Sequence, residues 1–341
     1  MPEQFQDRRE ATSHPELRGD EESGQSRRSG ASEYGPQANA AASTAPLGIL
    51  AGGGDMPLAV AEAARALGRP VTIVGIKGEA SAAIASHRHA WIGRGQLGTL
   101  FRLLRRDGIR DLVLIGGIRQ RRMPQVNEFD LGGLWHLVSH LHLLKRGDDG
   151  ALRMIARLIE SGGFRVVGAA DVAPELTAPA GFATARAPDS ADWGDILAGY
   201  DAARAHGAAD RGQAVIVRSG TVVLREGRDG TDGMLATFAA RHAAGASGAP
   251  SGVLVKCLKP MQDRRLDMPT IGPPTVKAAA AAGLAGIAVT AHGTLVADRA
   301  GVMAELDRTG LFLVGLDDDV IATARAARPN LSPRPTDGEA P

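Results

Sequence analysis

The chain has 341 residues, 44% of them hydrophobic, enough for two cores of ordinary size once its polar head is set aside. Lys and Arg number 39 against 38 Asp and Glu, so no whole-protein field draws in nucleic acid or an anionic membrane, and any basic site is local. A lone cysteine, Cys257, excludes an intrachain disulfide and suits a reducing compartment, and no apolar run reaches the roughly eighteen residues of a membrane span.

Residues 1–45 are rich in Gly, Ser, Ala, Pro and charge without apolar periodicity, and they read as a disordered tail with no secretory signal, which places the protein in the cytoplasm. From Leu47 strand-like runs alternate with helical patterns. Leu47–Ala51 reads as a strand, Pro57–Leu67 as a helix, Pro70–Ile76 as a strand, Gln96–Arg106 as a helix and Asp111–Ile115 as a strand. This alternation predicts an α/β fold with a parallel sheet. Leu134–Leu144 and Leu152–Ile159 add helices, and Phe164–Gly168 adds a strand. Pro174–Pro188 resembles a linker, dividing a first domain over 46–175 from a second over 176–327, with 328–341 a second tail.

Beyond the linker, Gln213–Arg218 and Thr221–Glu226 flank Ser219 and Gly220 and read as a hairpin. A helix from Asp232, a strand over Gly252–Lys256, a helix over Thr275–Ala282 and strands near Ile287 and Phe312 follow. The second half is thus mixed α/β rather than a repeat of the first. Gly245–Pro250 reads as an exposed loop.

The loop Gly52, Gly53, Gly54 and Asp55 lies between a strand and a helix, where glycines let backbone N–H groups approach a phosphate and Asp55 is a candidate N-cap. It lacks the third glycine of a dinucleotide fingerprint, Pro57 standing there, and it is no Walker A loop. Arg119, Arg121 and Arg122 follow the strand ending near Ile115 and suit a phosphate or a solvated loop. Asp148 and Asp149 are adjacent carboxylates fit for magnesium, sugar hydroxyls or a helix N-cap. His136, His140 and His142 lack the Glu and third ligand of a zinc site. Glu226, Asp229 and Asp232 lie within seven residues, as a magnesium ion and an activated water require. The stretch Lys256–Gly272 alternates Lys259, Arg264 and Arg265 with Asp263 and Asp267 among prolines, where cations can neutralise a diphosphate.

Taken together, Ala51–Pro57, Lys145–Asp149, Gly212–Val217, Gly230–Leu235, Val255–Arg265 and Asp267–Val276 resemble the motifs of a bacterial family, unrelated to metallophosphoesterases, that cleaves the diphosphate of UDP-2,3-diacylglucosamine in lipid A synthesis. The resemblance implies a Rossmann-like first domain, a family-specific second domain, a homodimer and magnesium-dependent hydrolysis to UMP and 2,3-diacylglucosamine 1-phosphate, with manganese a substitute. It implies a lipid-linked nucleotide sugar as substrate, no nucleic acid, and transient contact with the inner membrane surface. The family's essential aspartate falls on Asp232, and its glutamate before Gly-Thr-Asp is Asp229 here, one methylene shorter. Glu226 and Asp232 are the expected metal ligands, with Asp229 a third catalytic carboxylate. Gly52, Gly53, Gly54, Asp55, Asp148, Asp149, Gln213, Thr231, Lys256, Lys259, Gln262, Arg265, Asp267 and Thr275 are the expected substrate contacts. Asp232 is left as base, water-orienting group or metal ligand. The rivals are a nicotinamide-dependent oxidoreductase, disfavoured by the broken glycine fingerprint, and a non-catalytic nucleotide-sugar binder.

Overall fold

The computed structural model describes residues 43–118, 130–132, 150–182, 184–242 and 250–328. Outside them lie nearly all of both expected tails, Arg119–Arg122, the helix at 134–144 with its three histidines, Asp148 and Asp149, and all of Gly245–Pro250 but its proline.

The first sheet comprises β1 (Leu47–Ala51), β2 (Val71–Ile76), β3 (His89–Ile92), β4 (Asp111–Ile115) and β5 (Arg165–Val166), all parallel, in the order β3-β2-β1-β4-β5. Strands in such a sheet are covered on both faces, which is why they read as unbroken apolar runs. Leu47, Ile49 and Ala51 bury one face together with Val60 of α1 (Met56–Ala66), whereas Leu112 and Val74 bury the other with Leu100 and Phe101 of α2 (Leu97–Arg106). The chain builds outward from β1 to β3 and then returns to lay β4 on the other side of β1. That reversal makes the carboxyl ends of β1 and β4 the crevice where open α/β sheets take ligands. A helix α3 (Gly150–Ser161) precedes β5, and a short one, α4 (Ala169–Val172), follows it.

The segment expected as a linker is structured. Pro174–Leu176 forms a 3-10 turn, and β6 (Gly181–Phe182) pairs antiparallel with β13 (Phe312–Leu316) of the second sheet. Next comes the longest described helix, α5 (Ser190–Ala208), which has no amphipathic stripe to betray it. Its small residues serve close packing: a Cβ at Gly199 would stand 2.4 Å from Val255 Cγ2.

The second sheet has the order β6-β13-β11-β9-β7-β8. Its centre is three parallel strands, β9 (Val253–Lys256), β11 (Gly286–Thr290) and β13, flanked by the antiparallel hairpin β7 (Ala214–Arg218) and β8 (Thr221–Arg225). Ser219 and Gly220 both take positive φ, 53° and 73°, the backbone twist a two-residue hairpin favours. One face packs α5 and α9 (Asp318–Ala326) through Val215, Val253, Val255 and Ile321. The other packs α6 (Gly230–His242), α7 (Pro273–Ala281) and α8 (Arg299–Thr309) through Leu254, Ile287, Phe238 and Val276. Two short parallel strands, β10 (Thr270–Ile271) and β12 (Leu295–Val296), complete this half.

Candidate functional site

At the first sheet's crevice, the chain after β1 and the chain after β4 touch each other. The Gly53 N–H donates to the Gly117 carbonyl at 2.7 Å, the Gly117 N–H to the Gly53 carbonyl at 3.0 Å, and the Gly52 N–H to the Ile115 carbonyl at 2.9 Å. A Cβ on Gly52 would meet the Gly116 carbonyl oxygen at 2.6 Å, and Gly116 has φ +103°. These glycines therefore let two backbones cross, and the N–H groups of Gly52 and Gly53, expected to face a phosphate, are already spent. Asp55 occupies the N-cap position of α1, yet its side chain makes no capping bond, which corrects the sequence expectation. The reason is chemical. A cap bonds the second or third helical N–H; the second residue is Pro57, with no N–H, and the third, Leu58, already donates to the Asp55 carbonyl at 3.1 Å.

The second sheet presents side chains instead. Lys256 ends β9, and Glu226 follows β8, whose partner β7 lies beside β9. Glu226 is 8% exposed, and its Oε2 accepts from the Gln213 N–H at 2.6 Å while its Oε1 accepts from Thr231 Oγ1 at 2.8 Å. Thr231 and Asp232 belong to the first turn of α6, where a carboxylate is favoured by the helix dipole. Asp232 is exposed, and its carboxylate has no hydrogen bond or ion pair among the described residues. Asp229, in the turn before α6, is likewise exposed and unpartnered among them.

Lys256 is 7% exposed, and its Nζ donates to the Thr270 carbonyl at 3.1 Å. Burial pushes its ammonium below the usual lysine range, against the opposing pull of the Glu226, Asp232 and Asp267 carboxylates. It makes no ion pair among the described residues, so a buried cation with unspent donors faces three carboxylates at a distance. Such a cation is costly unless an anion completes it. The Gln213 side-chain oxygen is also buried without a partner among the described residues, leaving an acceptor beside the same corner.

The cationic stretch after Lys256 has a second use. Leu266 and Met268 pack against the two cores of the first sheet. Arg265 holds Asp263 through Nη2 at 2.7 Å and Glu160 of α3 through Nη1 at 2.8 Å, and Arg153 donates to the Met261 carbonyl at 2.6 Å. Against the burial that would raise it, Arg265 holds the Asp263 carboxyl below the usual range. Lys259 pairs with Asp210 at 2.7 Å. Gln262 accepts from the Lys259 N–H at 3.1 Å and donates to Asp267 at 2.6 Å. Thr275 receives the Gly272 N–H at the start of α7. The structure thus gathers Gln213, Glu226, Thr231, Asp232, Lys256 and Asp267 at one corner, while Arg265 is turned to the first half and Gly52–Asp55 stand at the first sheet's edge. Sequence reasoning missed His206 of α5, whose ring Nε2 bonds the Glu226 carbonyl at 2.8 Å; a histidine in an Ala- and Gly-rich helix carries no signal. It also missed the Thr270 carbonyl, which no side-chain pattern reveals.

Among the described residues no three His, Cys, Asp or Glu side chains stand close enough to hold a metal ion between them. Magnesium on a phosphorylated substrate asks for less, one or two carboxylates with phosphate oxygens and waters completing the shell. The hard, exposed and unbonded carboxylate of Asp232 fits that demand. An open cavity of about 550 Å³ lined by Tyr200, Asp201, Arg204, Asp318, Ile321, Ala322 and Arg325 shares no residue with this corner.

A family model described as the LpxI N-terminal domain matches residues 46–176, and one described as the LpxI C-terminal domain matches residues 179–314. The UDP-2,3-diacylglucosamine pyrophosphatase LpxI of Caulobacter vibrioides is 37% identical to the chain over 273 residues, which is 80% of this chain and 97% of that relative.

Proposed function

This chain belongs to the LpxI family, and from that membership we propose that it hydrolyses the diphosphate of UDP-2,3-diacylglucosamine to UMP and 2,3-diacylglucosamine 1-phosphate in lipid A synthesis. The observation that carries the proposal to particular residues is the nearness of an exposed Asp232 to a buried Lys256 at one corner, neither with an ion pair among the described residues. Hydrolysis forms one bond from a water oxygen to phosphorus and breaks the bond from that phosphorus to the bridging oxygen. Lys256 supplies positive charge to the diphosphate oxygens, where charge rises as the bridging bond breaks. Asp232 orients the attacking water and takes its proton, or would hold a metal ion beside that water, with the proton then passing to solvent. Asp232 would hold magnesium together with the substrate's own phosphates, and the ion would supply Lewis acidity there. The Gln213 side-chain oxygen offers an acceptor to a hydroxyl or amide N–H of the substrate.

The proposal includes a homodimer, which rests on the family resemblance alone. It also includes a cytoplasmic protein that meets the inner membrane surface to collect an acylated substrate. Among the described residues no helix is long and apolar enough to cross a membrane. The deciding experiment incubates the purified chain with UDP-2,3-diacylglucosamine and follows UMP, with magnesium, manganese, zinc or excess EDTA. UMP release with magnesium or manganese, and none in EDTA or with zinc, is expected. No release under any condition overturns the activity, and full release in EDTA overturns the metal.

A further inference from the structure

We propose that Glu226 is a positioning residue that pins Asp232 in place, and that it does not ligate the metal. The proposal presupposes the hydrolase function above and separates the two acidic residues that the sequence treats alike. Every polar group of Glu226 is engaged. Its N–H donates to the Ala214 carbonyl at 2.9 Å, its carbonyl accepts from His206 Nε2 at 2.8 Å, and its two carboxylate oxygens accept from the Gln213 N–H and the Thr231 hydroxyl. Since a carbonyl only accepts, the His206 proton is on Nε2. The other ring nitrogen is buried without a partner among the described residues, so the imidazole is committed to this one bond.

These contacts tie three elements to one residue: α5 through His206 on the backbone carbonyl, and the entry to β7 through Gln213 and the first turn of α6 through Thr231 on the carboxylate. Asp232 is the residue after Thr231. Between Glu226 and Thr231 the chain passes through Gly227 and Gly230, the latter at φ +71°, so without the Glu226–Thr231 bond only a glycine-bearing turn and the packing of Met234 and Leu235 would set the start of α6. Magnesium keeps several waters and wants an accessible oxygen. Glu226 is 8% exposed with a donor on each oxygen, whereas Asp232 is exposed with none among the described residues. The division of labour follows: one carboxylate is spent on geometry, and the other is left for chemistry.

The test compares Glu226→Gln, Thr231→Val and Thr231→Ser in the full chain by three readouts: amide hydrogen exchange of the metal-free protein over 230–235, Mn²⁺ binding followed by the resonance of the free ion, and steady-state kinetics. Glu226→Gln removes the charge and turns one acceptor into a donor: with the amide oxygen kept on the Gln213 N–H, the NH2 meets the Thr231 hydroxyl, which no longer donates to a carboxylate. It should speed exchange at the first turn of α6 by about tenfold or more, the factor that about 1.4 kcal/mol of lost local stability produces. It should lower kcat by about tenfold to a hundredfold, as a misplaced catalytic group does, with KM and Mn²⁺ affinity within about twofold of wild type. Thr231→Val should follow it, and Thr231→Ser, which keeps the hydroxyl, should recover most of the loss. If Glu226→Gln instead leaves metal-free exchange unchanged, weakens Mn²⁺ binding and regains its rate at saturating metal, Glu226 is a ligand and the proposal falls. Should Glu226→Gln not fold, exchange in the two Thr231 variants decides alone, with no difference between them counting against the pin. A wild-type chain that releases no UMP brings down the functional proposal, while the exchange measurement still judges the pin.

Discussion

The two sheets finish their central parallel strands in opposite ways. After β1 and β4 the first sheet spends its backbone on itself, Gly53 and Gly117 exchanging both hydrogen bonds and Gly52 lying where a Cβ would strike the Gly116 carbonyl. After β9 the second sheet leaves side chains poised: a buried ammonium and an exposed carboxylate, both without an ion pair among the described residues, and a second carboxylate with a donor on each oxygen. A glycine-rich strand end is thus no evidence for a phosphate cradle until its N–H groups are accounted for. In the first sheet the glycines make the crossing possible. In the second, on the proposed reading, the chemistry falls to charges without an ion pair among the described residues.

The sharpest way to break this contrast is Asp232→Ala. A carboxylate that activates water contributes roughly a hundredfold to ten-thousandfold in rate, so turnover should fall by at least about a hundredfold. An exposed side chain without partners contributes within about 0.5 kcal/mol to stability, so the melting temperature should hold. A variant retaining a tenth of wild-type activity would move the chemistry elsewhere. Next in size comes Gly52→Val, which acts on the fold. The obstructing atom is backbone and cannot swing aside, so the cost should reach at least the roughly 1–3 kcal/mol of an overpacked core. At about 2–4 °C per kcal/mol for a protein of this size, thermal denaturation should show a fall of several degrees. A melting curve that overlays the wild type would mean that the glycine crossing does not form.

What the sequence could reveal follows the same division. The strands β1, β2 and β4 were legible because burial on both faces makes them continuous apolar runs. The edge strand His89–Ile92 was not, being four residues long and buried only at Ile92, and α5 was not, because Gly199 and its neighbours erase the helical stripe to let Val255 approach. Pro174–Pro188 reads as a linker from its composition, although two of its residues pair as β6. At the site, residue types were legible and allegiances were not. Glu226 and Asp232 are both expected metal ligands from the sequence, and the positions of Gln213 and Thr231 separate their roles. Arg265 and Asp263 look like ligand-binding charges in a polar loop, yet they brace that loop against Glu160, because Leu266 and Met268 carry the loop onto the first sheet.

The smallest expected effect on stability, and the finest test of the first sheet's role, is Asp55→Ala. Removing an N-cap aspartate ordinarily costs about 1 kcal/mol. Here Pro57 offers no N–H, the Leu58 N–H is already bonded to the Asp55 carbonyl, and the backbone of Asp55, at φ −95° and ψ −13°, is helical rather than extended. Nothing in the helix depends on the carboxylate, so stability should change by no more than about 0.5 kcal/mol. That frees the substitution to report on ligand binding alone. Asp55 is exposed at the crevice between β1 and β4, unpartnered among the described residues, and a carboxylate there suits ribose hydroxyls, which donate, better than phosphate, which repels it. A hydrogen bond to a charged group is worth about 1.5–3 kcal/mol, so UMP affinity measured by calorimetry should weaken by roughly tenfold or more at constant melting temperature. Loss of stability would restore the cap. Unchanged UMP affinity would show that the glycine crossing closes the first sheet's edge to the nucleotide, leaving the corner around Lys256 to bind the diphosphate alone.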